Sequence, residues 1–338
     1  MSLEIAWLAL LGFLLGGYFV LGGYDYGVQM LQPYLGRDET GRRKTMAALG
    51  PFFLGNEVWL VAFAGVLFGA FPFLEGTLLS GLFPLIVLLL VGLVVGNAAV
   101  QLRSRAGGTS GRRVWDVLVV VGGVLPAAVW GLVVGVLLSG VPRGAEGSFT
   151  LSWSSVLDPF VLLCAVTTTA LFAAHGAAFL ALRSTEELAV QAGALAKALS
   201  TTAMASAALA FLAAVAGGGA DAVTNPLVAT LLVAALLVAL AAARLALAKG
   251  RSGSAFAATC CAAALPVLLI GAAQYPYVLV STEAERFGMT VAEGAADGAT
   301  LGLLMGFGVV LIPVIVAYQF WSWWVFRGRV DHRTPTYF

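Results

Sequence analysis

Residues 4–31 read EIAWLALLGFLLGGYFVLGGYDYGVQML. An α-helix needs about 20 consecutive apolar residues to cross a hydrocarbon core of about 30 Å. This stretch supplies them before its first interior acid, Asp25. No basic stretch precedes it and no A-x-A site follows it, so it reads as a retained first span and not as a removable signal. The rest of the chain has the same character. Of 338 residues, 60% are hydrophobic and 10% charged, against roughly 25% charged in a soluble domain. Seventeen acids and eighteen bases are too few to cover a globule of this size, so hydrocarbon is most of the solvent. A net charge of +1 argues neither for nor against a nucleic-acid partner, but a chain with no soluble domain has no platform for one. The three cysteines, two of them adjacent at Cys260 and Cys261, have no metal spacing and read as packing residues.

Hydropathy gives nine spans, at 4–31, 46–72, 78–102, 114–139, 157–182, 195–217, 226–248, 254–279 and 300–326. The bases then set the orientation. If the amino terminus is outside, the inner segments hold Arg37, Arg42, Arg43, Lys44, Arg103, Arg105, Arg112, Arg113, Arg183, Lys197, Arg244, Lys249, Arg251, Arg327, Arg329 and Arg333. Only Arg143 and Arg286 remain outside. That excess of basic residues on one side is the positive-inside pattern, and it requires an odd number of spans with the carboxyl terminus in the cytoplasm. Trp321, Trp323 and Trp324 sit at the inner end of the last span, as an aromatic belt would. The alanine- and glycine-rich spans six to eight read as scaffold.

An ionisable group within a span is costly and therefore points to a function. Two acids qualify. Asp25 lies toward the inner end of span one, and Glu57 lies about three turns into span two. Both suit proton or ion movement, with Asn56 and Gln29 extending a polar track, and a buried structural hydrogen bond is the competing reading. Asp116 and Asp158 fall at expected helix starts and read as caps. Pro51, Gly50 and Gly55 loosen span two. His175 is the one histidine within a span, His332 being in the tail. It could ligate haem iron or hydrogen-bond a neighbouring helix, but a single internal histidine cannot form a bis-histidine haem site. The run Thr167, Thr168 and Thr169 is expected to bond back to its own helix. These features alone leave open a proton-coupled secondary transporter and a subunit of a larger complex. Against the transporter, the sequence has no pair of broken helices of the inverted-repeat kind.

The order of the blocks adds to this. LGGYDYGVQML, GRDETGRRKTMAALGPFFLGNEVWLVAFAGVLFGAFP, RVWD at 113–116, GVP at 140–142, the H-G-A at 175–177 and QYPYVLVST with GMTVAEGAADGATLGLLM follow one another over nearly the whole length. In that order they resemble subunit II of the cytochrome bd-type quinol oxidases, with N-E-V-W-L the most specific piece. The resemblance implies an all-α polytopic membrane protein of two four-helix bundles flanking one peripheral helix. On this chain the division falls at 1–140 for the first bundle, 141–190 for an external loop and the peripheral helix, and 191–338 for the second bundle and tail. It also implies a bacterial cytoplasmic membrane and a heterodimer with subunit I, which carries haem b, haem d and the quinol site. Small single-helix accessory subunits and bound lipid or quinone go with that picture.

By resemblance, this chain braces subunit I and contributes to proton delivery through Asp25, Glu57 and Asn56. Trp59 and His175 become candidates for an oxygen channel or the subunit interface. The sequence also departs from the family. Gly22 and Leu54 replace acids, and Gly96 and Gln101 stand where the family commonly has an arginine and an acid. Loss of both members together fits a paired loss of charge. Proton delivery then runs through Asp25 and Glu57 or through subunit I alone, or the chain is a catalytically silent scaffold paralogue.

Overall fold

The computed structural model describes residues 2–36, 38–217 and 223–330; Arg37, His332 and Arg333 lie outside these. Helix α1 spans Leu3–Leu35, α2 Glu39–Leu49, α3 Phe53–Ala70, α4 Pro72–Gly81, α5 Phe83–Leu102 and α6 Gly108–Ser139. After a short α7 at Trp153–Val156 come α8 Pro159–Arg183, α9 Glu186–Ala216, α10 Pro226–Ala248 and α11 Ser252–Ala273. Strands β1 (Tyr277–Leu279) and β2 (Met289–Thr290), the short α12 (Val291–Gly294) and α13 (Gly298–Val325) complete the chain. Among the described residues nine of these helices are long and apolar enough to cross a membrane, as hydropathy indicates.

The differences from the expected spans have local causes. The span expected at 46–72 starts only at Phe53, because a turn at Gly50–Phe52 containing Pro51 separates it from α2. Leu82, between Gly81 and the Pro84-led start of α5, divides α4 from α5 within the run expected to begin at 78. Helix α6 begins at Gly108, not 114. Asp116 is therefore in its third turn and is not a cap. The run to 279 ends as helix at Ala273, and Tyr277–Leu279 pairs antiparallel with Met289–Thr290 in a small hairpin that an all-helical reading leaves out.

Burial orders the helices. In the fifth span, α8, 67% of the apolar window is buried inside the chain, and in α13 only 6%. Among the nine candidate spans α8 is thus the most enclosed within the chain and α13 the least. The cause lies in the side chains. Helix α8 is largely alanine, glycine and threonine along AVTTTALFAAHGAAFLA, which lets neighbours close in, whereas α13 presents Phe307, Val310, Val314 and Phe320 outward. At the α1–α8 crossing, a Cβ on Gly176 would lie 2.5 Å from the backbone of Gly27 and Val28.

The two ends of the bundle differ. At the basic end, Arg103 makes two bonds to Glu39, at 3.1 and 3.0 Å, and one to Asp116 at 2.5 Å. Asp116 also takes Arg42 at 2.5 Å, so α2, α5 and α6 are tied together there. The Arg103 hydrogen bonds hold the Glu39 carboxyl below its usual range. At the far end Arg143 donates to the carbonyls of Gly147, Phe287 and Gly288, and Val141 bridges to Ser281. Asp158 and Asp297 cap α8 and α13 there, and Asp158 is thus the cap the sequence indicated.

Candidate functional site

Asp25 sits in α1 ten residues before the helix ends at Leu35, and its side chain is buried. Its Oδ2 accepts from Asn56 Nδ2 at 2.9 Å. The same nitrogen donates to the Tyr24 hydroxyl at 2.7 Å. Asn56 Oδ1 in turn accepts from Gln319 Nε2 at 3.3 Å, and Gln319 Oε1 accepts from Trp59 Nε1 at 3.3 Å. One polar chain therefore runs Trp59, Gln319, Asn56, Asp25 and Tyr24 across α1, α3 and α13. Asp25 Oδ1 has no hydrogen-bond partner among the described residues. Apolar packing fixes the geometry around it. Tyr24 stacks on Phe179 at 4.3 Å, and Trp59 lies against Gly17, where a Cβ would strike the indole.

Glu57 lies one residue beyond Asn56, half-buried and facing Asn97 of α5. Near by, the Tyr18 and Tyr26 hydroxyls of α1 hydrogen-bond each other. The structure thus brings Asp25, Asn56, Glu57 and Trp59 into one region. His175 is nearby but engaged differently. Its Nε2 is 2.8 Å from the Val20 carbonyl, its Nδ1 is 2.7 Å from Thr259 Oγ1, and its ring stacks on Phe256. With both ring nitrogens occupied, His175 ties α1 and α11 to α8 and is not arranged to ligate haem iron. Among the described residues His175 is the one histidine, and they do not fit a bis-histidine haem.

Two participants were missed in the sequence. Gln319 sits in the aromatic QFWSWWVF, where the tryptophans took the attention; a glutamine in an apolar span was the available signal. Of those tryptophans, Trp321 and Trp324 are exposed as a belt requires, but Trp323 turns inward against Phe52 and Phe256. Gln32, buried one turn from the end of α1, was also passed over. Thr167 and Thr169 do bond back to Leu163 and Ala165 of their own helix.

The departures have places too. Leu54 is exposed on α3 and points away from the polar chain. A Cβ at Gly96 would lie 2.9 Å from Gln29 Oε1 and 3.0 Å from the Gly122 backbone, so an arginine there would displace both. A separate apolar cavity of about 170 Å³ is walled by residues such as Val134, Cys164, Ala207, Leu236 and Leu265; neither Trp59 nor His175 lines it.

Among the described residues, fold and site together define a helical membrane protein with nine candidate spans and a buried carboxyl network. The family model for cytochrome bd terminal oxidase subunit II matches residues 3–326. The cytochrome bd ubiquinol oxidase subunit 2 of Bacillus subtilis (strain 168) is 32% identical over 335 residues, covering 99% of this chain and 98% of that protein. The cytochrome bd-I ubiquinol oxidase subunit 2 of Escherichia coli (strain K12) is 28% identical over 360 residues, covering 97% and 95%. The solved bd oxidase from Geobacillus thermodenitrificans has the same fold, with a TM-score of 0.74 over 96% of this chain and 99% of that one at 18% identity. The chain belongs to the cytochrome bd terminal oxidase subunit II family, and is thus a membrane-embedded subunit of an oxidoreductase. Family membership sets the secondary-transporter reading aside.

Proposed function

We propose that this chain pairs with a haem-bearing subunit I in a bacterial cytoplasmic membrane, and that within the pair Asp25 conducts protons taken up from the basic end. The whole complex would oxidise quinol and reduce oxygen to water, with haem b and haem d held by the partner. The observation that carries the reading is Asp25 itself. It is a buried carboxyl with one oxygen held by Asn56 and the other unengaged, in a span where an idle acid would be costly. The concentration of bases at the basic end supports a cytoplasmic location for it. Haem supplies the electron chemistry when bound in the partner. This chain's residues brace and deliver: Asn56 orients the Asp25 carboxylate, Gln319 and Trp59 fix Asn56, and Glu57 adds a second carboxyl beside it.

The experiment has two readings. Tagged chain isolated in mild detergent should bring with it a larger membrane partner and a reduced-minus-oxidised spectrum with a haem d band beside haem b. In that complex Asp25→Asn should slow oxygen consumption and proton uptake while leaving the spectrum unchanged. Undiminished turnover in Asp25→Asn would make this chain a silent scaffold.

A further inference from the structure

Asp25, Gln29 and Gln32 recur at intervals of four and three residues, which puts them on one face of α1. All three are buried, at 1%, 2% and 0% exposure. Each carries a side-chain atom without a hydrogen-bond partner among the described residues: Asp25 Oδ1, Gln29 Oε1, and both the nitrogen and the oxygen of the Gln32 amide. Three such groups in a row in one helix are unusual, because buried polar groups are nearly always satisfied, by protein or by ordered water. The next residue on that face, Gly36, offers its carbonyl to Arg42 Nε at 2.9 Å, and Arg42 belongs to the charged cluster with Asp116. The row therefore runs from the buried carboxyl to the basic end.

We infer that this face of α1 binds a file of water molecules that relays protons from the basic end, past Gln32 and Gln29, to Asp25 Oδ1. The axial distance from Asp25 to Gln32 is about 10 Å, which about three waters hydrogen-bonded at about 2.8 Å would cover. Each amide can donate to one water and accept from another, and so holds water without holding the proton. A proton entering at the basic end is passed along by each water releasing one of its own, and Asp25 receives the last. The Gln29 Oε1 lies against Gly96 of α5 and Gly122 of α6, where a Cβ would come within 2.9 and 3.1 Å of it, so the amide keeps its place on this face only because both positions lack a side chain. This route avoids position 54, whose side chain is an outward leucine.

The inference rests on Asp25 conducting protons, and the test separates the two. In the purified oxidase complex reconstituted into vesicles, Gln29→Leu, Gln32→Leu and Asp25→Asn are compared for the rate of proton uptake during oxygen reduction, alongside haem content. Each leucine variant should slow uptake about tenfold or more with the haem spectrum unchanged, and Gln32→Asn, which still holds water, should recover most of the rate. If Asp25→Asn slows uptake and both leucine variants do not, the water file is overturned and the role of Asp25 stands. If all three run at the full rate, both are overturned. Because a leucine variant could fail to assemble, a cryo-EM map of the unmodified complex that resolves ordered water gives an independent answer. Density bonded to the Gln32 amide supports the file, and an amide packed only against carbon overturns it.

Discussion

One nitrogen of Asn56 secures both Tyr24 and Asp25: Nδ2 lies 2.7 Å from the tyrosine hydroxyl and 2.9 Å from the carboxylate. An amide nitrogen has two hydrogens, so both are committed, and the amide oxygen is left for Gln319. Asn56 therefore has a single usable orientation. Replacing it with the near-isosteric Leu leaves the Asp25 carboxyl buried with neither oxygen bonded. Removing one partner of a buried hydrogen bond costs about 1–3 kcal/mol, and more where the group is charged. Asn56→Leu should lower the thermal midpoint of the purified complex, measured by intrinsic fluorescence; an unchanged midpoint would show that Asn56 does not hold the carboxyl.

His175 gives a prediction in which stability and cofactor content separate. Its bonds to Val20 and Thr259 and its stacking on Phe256 make it a tie between three helices. His175→Ala removes two hydrogen bonds and leaves a cavity of aromatic size, a loss of about 3–5 kcal/mol by analogy with buried Phe→Ala changes. Less complex should accumulate, but each assembled complex should keep its full haem complement per subunit I. Stable complexes lacking one haem would instead make His175 a ligand.

Much of this was legible in the sequence. Nine spans follow from apolar run length, and Asp25, Glu57 and His175 stood out because they do not belong in lipid. The missed features share a cause. The extra length at the start of α6 is GTSGRR, polar enough to read as loop, and the pairing of its Arg112 with Glu39 of α2 at 4.0 Å is a contact across helices that no local pattern reports. Gln32 and Gln319 carry no charge, so a search for ionisable groups does not see them, yet a buried amide also needs hydrogen-bond partners that lipid cannot supply. The small hairpin at 277–290 is held by contacts from Arg143, far away in sequence, and no local pattern reports them.

The basic end predicts a pH dependence. Arg103 hydrogen bonds hold the folded-state Glu39 carboxyl below its usual value. The stabilisation from that pair is therefore fully present above about pH 4.5, the unfolded glutamate range, and is lost as pH falls through the lower folded value. Glu39 is about one-third exposed, so solvent screens the contribution. Thermal midpoints of the complex measured from pH 7 down to about pH 3 should fall less steeply for Glu39→Gln than for the unmodified chain. Parallel curves would mean that the Arg103 pair contributes nothing to stability.

The last prediction concerns the contact between α1 and α8, on which the site's geometry depends. A Cβ on Gly176 would lie 2.5 Å from Gly27 C and Val28 N, and a Cβ on Gly27 would run into the Phe172 carbonyl. In both cases the obstacle is backbone, which cannot rotate aside, so α1 and α8 must separate. Asp25 lies two residues before Gly27 and His175 immediately before Gly176, so separation would also lengthen the bond from His175 to Val20. Overpacking of this kind costs about 1–3 kcal/mol where relief is available, and more where only backbone opposes it. Gly12 of the same helix is the control, because a Cβ there meets nothing within 4 Å. Gly12→Ala should leave assembly intact or improve it, since alanine favours helix by up to about 1 kcal/mol over glycine. Gly27→Ala and Gly176→Ala should each reduce the assembled complex recovered from membranes, and the double substitution should cost less than the sum of the two, because either one alone already forces the helices apart. If all three single variants assemble equally well, the close approach of α1 and α8 does not position the site.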